Sequence, residues 1–182
     1  LKDQDGYITI PADLKQTFEN KFNLNIGKNE IIKMKNNNVI TDRDLSIAQF
    51  LFQFKFATVD QIYRFLGENK TKINIKNRLD KLVKYRVLNK FMLSDFEEDR
   101  VASDAYEIFC LDLGGRYLLA NYSNEDTTDW YSTTNMKSSE IISKNLFVTE
   151  FYLRLIETCP DKVSYFKIEP DFRVGKKNVI PS

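Results

Sequence analysis

Basic and amide side chains are concentrated between residues 69 and 90 of this 182-residue chain. Eight lysines and arginines stand there against one acid, Asp80, which gives a local net charge of +7. Lysine and arginine neutralise phosphates, and asparagine and arginine form paired hydrogen bonds with adenine and guanine edges in the major groove. Such a basic stripe is the electrostatic footprint of a phosphate-binding surface. A solvated helix face is the alternative interpretation of a charge run taken by itself.

A helical arrangement brings several of these side chains to one face. Asn74, Asn77 and Lys81 follow one another at intervals of 3 and 4 residues, and Lys70 and Lys84 extend the series at both ends. Interleaved asparagines favour a helix that reads DNA over a solubilising surface, which would carry charges of both signs. The predicted binding residues for double-stranded DNA are Lys70, Thr71, Lys72, Asn74, Lys76, Asn77, Arg78, Lys81, Lys84 and Arg86.

The total charge hides this concentration. The chain has 27 Lys plus Arg and 26 Asp plus Glu, so its formal net charge is only +1. Residues 91–130 have a net charge of −8, which cancels the basic region before them. The near neutrality therefore predicts a protein that binds DNA through one face and offers the other to solvent or to a basic partner.

The composition excludes several kinds of catalytic site. The chain has no histidine, so a Ser-His-Asp or Cys-His nucleophile system, an HExxH zinc site and a histidine-ligated metal are all impossible. Its six glycines form neither GxGxxG nor GxxxxGK[ST]. The sequence therefore predicts no enzyme activity, no cofactor and no metal site. One weak alternative is a carboxylate-and-lysine nuclease site built from Glu169, Asp171, Lys176 and Lys177.

The same composition predicts a cytoplasmic protein with no membrane segment. The mean hydropathy is −0.42, and no apolar run approaches the ~18 residues of a membrane span. The first residues have no signal-peptide pattern. Cys110 and Cys159 lack CxxC spacing and are typical of buried thiols in a reducing compartment. Because the chain begins with Leu1 rather than methionine, we expect a fragment of a longer protein.

The elements predicted around the basic face follow the order of a winged helix-turn-helix. Thr41 and Thr58 each precede a side chain of capping-box type, and Gly67 ends the second helix. A hairpin tip at 95–103 separates two strands, so three helices are followed by a two-stranded wing. The predicted elements are helices at 41–56, 58–67, 71–85 and 111–120 and strands at 87–94 and 104–111.

Two flanking regions complete a predicted α+β fold. Residues 1–40 are predicted as a strand-helix-strand appendage, with a strand at 6–11, a helix from Pro11 to about Phe22 and a strand at 30–35. A long helix at 138–158 is apolar on more than one side, so it either packs centrally or pairs with a second copy in a homodimer. Short strands at 163–169 and 172–174 follow it. The predicted domains are 1–40, 41–122 and 138–182.

Five short stretches carry a family resemblance: Ile40–Leu45, Phe56–Ile62, Arg78–Val83, Leu111–Gly115 and Asn145–Phe151. Their order and spacing over residues 40–156 resemble the replication-relaxation family, winged-helix proteins of plasmids and other mobile elements. The resemblance implies DNA binding in plasmid replication, relaxation or conjugative transfer, often in a complex with a relaxase. Winged-helix proteins often have glycine where this chain has Arg86, and the basic side chain there is predicted to add a phosphate contact.

Two features depart from the usual patterns. The wing tip carries four acids within 95–99, which a phosphate backbone would repel, so we predict that it stays in solvent or contacts a basic protein partner. Residues 6–34 resemble, more distantly, the swapped-hairpin fold of transition-state regulators, with a tyrosine in place of a basic residue and a longer helix.

The sequence thus predicts a non-enzymatic DNA-binding accessory or regulatory factor of a mobile element. A dimer with half-sites about one helical turn apart is compatible with this reading. The alternatives are a protein-interaction module that binds a relaxase or replication protein, and a transcriptional regulator on the same fold.

Overall fold

The computed structural model describes residues 10, 14–22, 26–67, 71–94, 107–163, 166, 172–174 and 177–179. The helices in these ranges are α1 (Lys28–Asn36), α2 (Asp42–Phe54), α3 (Val59–Leu66), α4 (Lys72–Lys84), α5 (Leu113–Tyr122) and α6 (Ser139–Thr158). The strands are β1 (Lys15–Phe18), β2 (Ala57–Thr58), β3 (Leu88–Ser94), β4 (Ile108–Leu111), β5 (Phe172–Val174) and β6 (Lys177–Val179). The first four strands form an antiparallel sheet in the order β1-β3-β4-β2, and β5 pairs with β6. The fold is therefore α+β, as predicted.

Local capping signals set the starts of α2 and α3. The Thr41 amide donates to the Asp44 carboxylate at 2.7 Å, and the Thr58 amide donates to the Gln61 side chain at 3.1 Å. Gly67 ends α3 in the left-handed conformation, with φ of 56°. The predictions confirmed here are the helices at 41–56, 58–67, 71–85, 111–120 and 138–158.

The predicted hairpin of β3 and β4 is confirmed at its base. Leu88 pairs with Leu111, and Phe91 pairs with Ile108. The short strand β2 joins the far side of β4, so the chain between α2 and α3 also belongs to the sheet. The predicted tip at 95–103 lies outside the described residues.

The helix predicted from Pro11 to Phe22 is wrong, because residues 15–18 form β1 against β3. Side chains along β1 alternate between exposed and half-buried, which is the period-two pattern of a strand with one covered face. Phe18 packs on Phe91 with ring centroids 4.9 Å apart. Apart from Ile10, the strand predicted at 6–11 lies outside the described residues.

The strand predicted at 30–35 is also wrong, because this segment is the helix α1. Ile31 is fully buried in the main core, and Met34, one helical turn later, packs against the same core. The i, i+3 spacing of these two apolar side chains fits a helix that buries one face. The strand-helix-strand appendage is thus replaced by a strand in the main sheet and a helix on α5.

The segment after β1 is fastened to the end of α4. The backbone N–H of Asn20 donates to Asn89 Oδ1 at 3.0 Å, and Asn89 Nδ2 donates back to the backbone carbonyl of Asn20 at 3.0 Å. Asn20 Nδ2 also donates to the carbonyl of Val83, in the last turn of α4, at 2.9 Å. These bonds fix the C-terminal end of α4 relative to the sheet.

The helix α6 packs by one face and exposes part of another. Ile142 and Leu146 are buried together with Phe91 of β3 and with Phe56, which directly precedes β2. The Gln61 side chain donates to the Leu146 carbonyl at 3.0 Å. The outer face leaves three large apolar side chains exposed, Ile141, Phe147 and Phe151.

The predicted C-terminal strands are confirmed in part. Residues 172–174 form a strand, as predicted. Only residues 163 and 166 of the predicted strand 163–169 are described, and neither lies in a strand. None of the helices in the described ranges combines the length and apolar character that crossing a bilayer requires.

Candidate nucleic-acid interface

The helix α4 buries one side and exposes the predicted binding side. Thr71 caps its start by accepting the Asn74 amide at 3.4 Å. Ile75, Leu79, Leu82 and Val83 are buried in the main core. The opposite side exposes Asn74, Asn77, Lys81 and Lys84, which the sequence placed on one face. Lys70 lies outside the described residues.

A shallow depression of about 410 Å³ lies beside this face. Its lining residues are Arg43, Asn74, Asn77, Arg78 and Lys81, and none of these carries a carboxylate. Arg43 comes from the first turn of α2, and the sequence analysis missed it. A helix start favours acids, so a basic residue at that position was a usable signal.

Acids of α4 and of neighbouring parts of the fold neutralise some of the predicted DNA-binding cations. Lys72 Nζ lies 2.5 Å from Asp60 of α3. Lys76 pairs with Glu107, just before β4, and lies 3.7 Å from Asp80. These side chains therefore support α4 as well as charging its surface.

Lys76 belongs to a small ionic network between α4 and the hairpin. Lys90 of β3 lies 2.9 Å from Asp80 and 3.2 Å from Glu107. Burial opposes ionisation of Asp80 and Glu107, but hydrogen bonds from Lys90 and Lys76 outweigh it and hold both pKa values below the usual range. Burial likewise opposes the charge on Lys90, yet its two carboxylate partners raise its pKa. The network joins α4 to the base of the hairpin.

Arg78 joins α4 to α2. Its guanidinium binds the buried Asp44 carboxylate, with Nε 2.9 Å from Oδ1, and also donates to the Val39 carbonyl at 2.6 Å. Burial opposes ionisation of Asp44, but hydrogen bonds from Arg78 and Thr41 outweigh it and lower its pKa. Arg78 is thus a supporting residue whose outer edge also lines the depression.

This lowered pKa predicts a loss of stability in acid. A carboxyl whose pKa is depressed by folding contributes stability above its unfolded pKa of about 3.9, and that contribution is lost as the pH falls through the folded value. We expect the free energy of unfolding to fall below about pH 4. Asp44→Asn should be less stable than wild type at pH 7 but should lose less between pH 5 and pH 3. Denaturant melts at each pH measure this, and Asp161→Asn, at an exposed carboxylate, should follow wild type. Parallel curves for Asp44→Asn and wild type would contradict the assignment.

Arg86 is not on the exposed face. Its guanidinium donates to Asp112, with Nε 2.7 Å from Oδ2, and to the Lys21 carbonyl at 3.2 Å. Arg86 is only 9% exposed and Asp112 is fully buried. The predicted phosphate contact at Arg86 is therefore replaced by a buried ion pair between the end of α4 and the start of α5.

Lys81 and Lys84 keep their charges available to solvent. No carboxylate of the described residues lies within ion-pair distance of either ammonium group. Together with Asn74 and Asn77 they form the polar part of a surface that we call the α4 face. Ile73, at the start of the helix, is its exposed apolar member.

The remaining predictions concern a metal or nuclease site and the two cysteines. Among the described residues, no group of three acids or cysteines is placed to hold a metal ion. Glu169, Asp171 and Lys176 lie outside the described ranges, and Lys177 begins β6. Cys110 is a buried thiol, as predicted, and this burial raises its pKa. Cys159 is only half-buried, so the prediction of a buried thiol there is wrong.

No family model, curated protein or solved structure matches the chain. The resemblance to the replication-relaxation family therefore stays a prediction. The predicted homodimer through residues 138–158 and the relaxase or replication-protein partner also stay predictions.

Proposed function

We propose that this chain is a winged-helix protein that binds double-stranded DNA by inserting α4 into the major groove. The observation that carries the proposal is the α4 face, where Asn74, Asn77 and Lys81 line a depression without a carboxylate. Lys84 lies exposed one turn beyond Lys81 on the same face. Lysines attract phosphates, and asparagine amides match the donor and acceptor of an adenine edge.

The order of elements supports this arrangement. The helices α3 and α4 pack together, and α4 leads through a tight turn into the β3-β4 hairpin. In a helix-turn-helix, the second helix enters the groove and its first residues contact the bases. Asn74 and Asn77 lie in the first half of α4, and Lys81 and Lys84 lie in the second half, where phosphates flank the groove.

The biological role that we propose follows the resemblance described above. The protein would be a non-enzymatic, cytoplasmic accessory factor in replication, relaxation or conjugative transfer of a mobile element. Transcriptional regulation would use the same surface, because fold and DNA contact do not distinguish these processes.

The salt dependence of DNA affinity tests this proposal. Neutralising at least two phosphates, through Lys81 and Lys84, should give a slope of about −2 or steeper in log K against log salt. Lys81→Ala/Lys84→Ala should make the slope shallower by about 2 and weaken binding to every duplex. Fluorescence anisotropy with labelled duplexes between 50 and 200 mM salt, roughly the range over which such contacts weaken, measures both.

A matched control uses two exposed lysines of α1. Lys28→Ala/Lys33→Ala removes the same charge from a different helix and should leave the slope unchanged. A flat salt dependence, or an equal loss in both double variants, would contradict binding through α4.

A protein-interaction module is the second candidate. The exposed Ile141, Phe147 and Phe151 on α6 favour it, because grouped apolar side chains are typical of contact surfaces. Absence of binding to any duplex, together with capture of a relaxase or polymerase subunit that Phe147→Glu abolishes, would select this function over DNA binding.

A further inference from the structure

Ile73 is an unusual residue for its position. It is 71% exposed, the highest value among the large hydrophobic side chains of the described residues. It is the second residue of α4, where a β-branched side chain gains no packing and has lower helix propensity than lysine or glutamate. Folding alone therefore does not explain an isoleucine here.

The neighbours of Ile73 are the two asparagines of the α4 face. Asn77 is four residues later, on the same side of the helix, and Asn74 is adjacent. Among the described residues, no group forms a hydrogen bond with the side-chain amide of either asparagine. An apolar group and two free amides thus project together from the first half of α4.

We propose that Ile73 contacts the C5-methyl group of a thymine, while Asn74 and Asn77 bind adenine edges. This inference rests on the proposed function and adds the base preference of the same surface. In the major groove only thymine presents a methyl group, and asparagine pairs in two-point fashion with N6 and N7 of adenine. The half-site should therefore contain A·T pairs where the start of α4 lies.

Lys81 and Lys84 take no part in this selection. Their ammonium groups lie one and two turns further along the helix and contact phosphates, which carry no sequence information directly. Affinity and base preference are therefore assigned to separate residues, and substitutions can separate them experimentally.

Replacing thymine with uracil tests the methyl contact directly. The exchange removes one methyl group and keeps the Watson–Crick pairing and the hydrogen-bonding pattern of the groove. Burying one such group corresponds to about a fourfold change in affinity. The probe is a duplex recovered from a randomised pool by binding to the wild-type chain and resynthesised with single thymine-to-uracil exchanges.

We expect wild type to bind about fourfold more weakly to the duplex with uracil at one particular position. Ile73→Ala should bind the thymine and uracil duplexes equally. Asn77→Ala should bind with unchanged affinity when a nearby adenine is replaced by another base. Phe147→Ala, which removes an exposed apolar side chain from α6, should retain the wild-type discrimination.

The outcomes distinguish this inference from the proposed function. If wild type binds with the expected salt slope but no uracil exchange matters, or if Ile73→Ala keeps the discrimination, the base preference is overturned and DNA binding stands. If no duplex binds in a salt-dependent way, both are overturned.

Discussion

Replacing Arg86 with alanine is expected to lower the free energy of unfolding by about 3–5 kcal/mol. The guanidinium is the buried partner of Asp112, and its removal leaves a fully buried carboxylate without its counter-charge. Burial already raises the pKa of Asp112, while hydrogen bonds from Arg86 and the Leu113 amide oppose that rise. Asp112 also caps α5 through the Leu113 amide at 2.8 Å, so its neutralisation weakens the start of that helix.

A glycine variant separates the effect of the ion pair at position 86 from the effect of its backbone conformation. Arg86 has φ of 59°, a left-handed conformation that costs a residue with a Cβ about 1 kcal/mol or more. Arg86→Gly loses the same ion pair but relieves that strain, so it should be about 1 kcal/mol more stable than Arg86→Ala. Denaturant unfolding of both variants measures the difference.

The ion pair itself is isolated by a double substitution. Arg86→Ala/Asp112→Asn should be less destabilised than the sum of the single variants, because each single variant leaves a lone buried charge and the double variant leaves none. Additive effects, or a stability of Arg86→Ala within about 0.5 kcal/mol of wild type, would show that the pair contributes little.

Replacing Gly115 with alanine is expected to cost about 3 kcal/mol, near the upper end of the usual overpacking penalty. A Cβ at this position would lie 2.3 Å from the Val87 carbonyl oxygen and 2.4 Å from Leu111 Cδ1. The first of these is a backbone atom of the residue that leads into β3, so it cannot move without shifting the strand. Gly114→Ala should cost somewhat less, with a Cβ 2.6 Å from the Arg86 carbonyl oxygen.

Gly27 provides the matched control. It lies at the start of α1 with an ordinary φ of −75°, and a Cβ there meets nothing within 4 Å. Gly27→Ala should therefore change the melting temperature little, whereas Gly115→Ala should lower it by about 6–12 °C for a chain of this size. Equal melting temperatures would mean that α5 does not approach β3 as closely as described.

Local signals predicted the middle of the fold well. Helix caps involve residues only a few positions apart, so the sequence alone indicates them. The examples here are Thr41 with Asp44, Thr58 with Gln61, and Gly67. The prediction for the N-terminal region was wrong because β1 is stabilised by its pairing with β3, more than 70 residues away. A strand stabilised by such distant partners has no strong local pattern of its own.

For the α4 face, the sequence predicted only which residues lie on it together. Helical spacing placed Asn74, Asn77, Lys81 and Lys84 together, and the structure has them exposed on one side. The spacing carried no information on which cations meet an acid from another element, as Lys72 and Arg78 do. Likewise, comparison with winged-helix proteins showed that glycine is usual at position 86. The ion pair of Arg86 with Asp112 became visible only in the structure.

The ion pairs of three basic α4 residues have a consequence for how this surface can change. Lys72, Lys76 and Arg78 bind Asp60 of α3, Glu107 just before β4 and Asp44 of α2, so these pairs join α4 to its neighbours without using the α4 face. A helix oriented in advance loses little conformational entropy when it binds. The side chains of Ile73, Asn74 and Asn77 lie outside the core and form no hydrogen bond with the described residues, so we expect substitutions there to alter the proposed base preference while leaving the stability nearly unchanged.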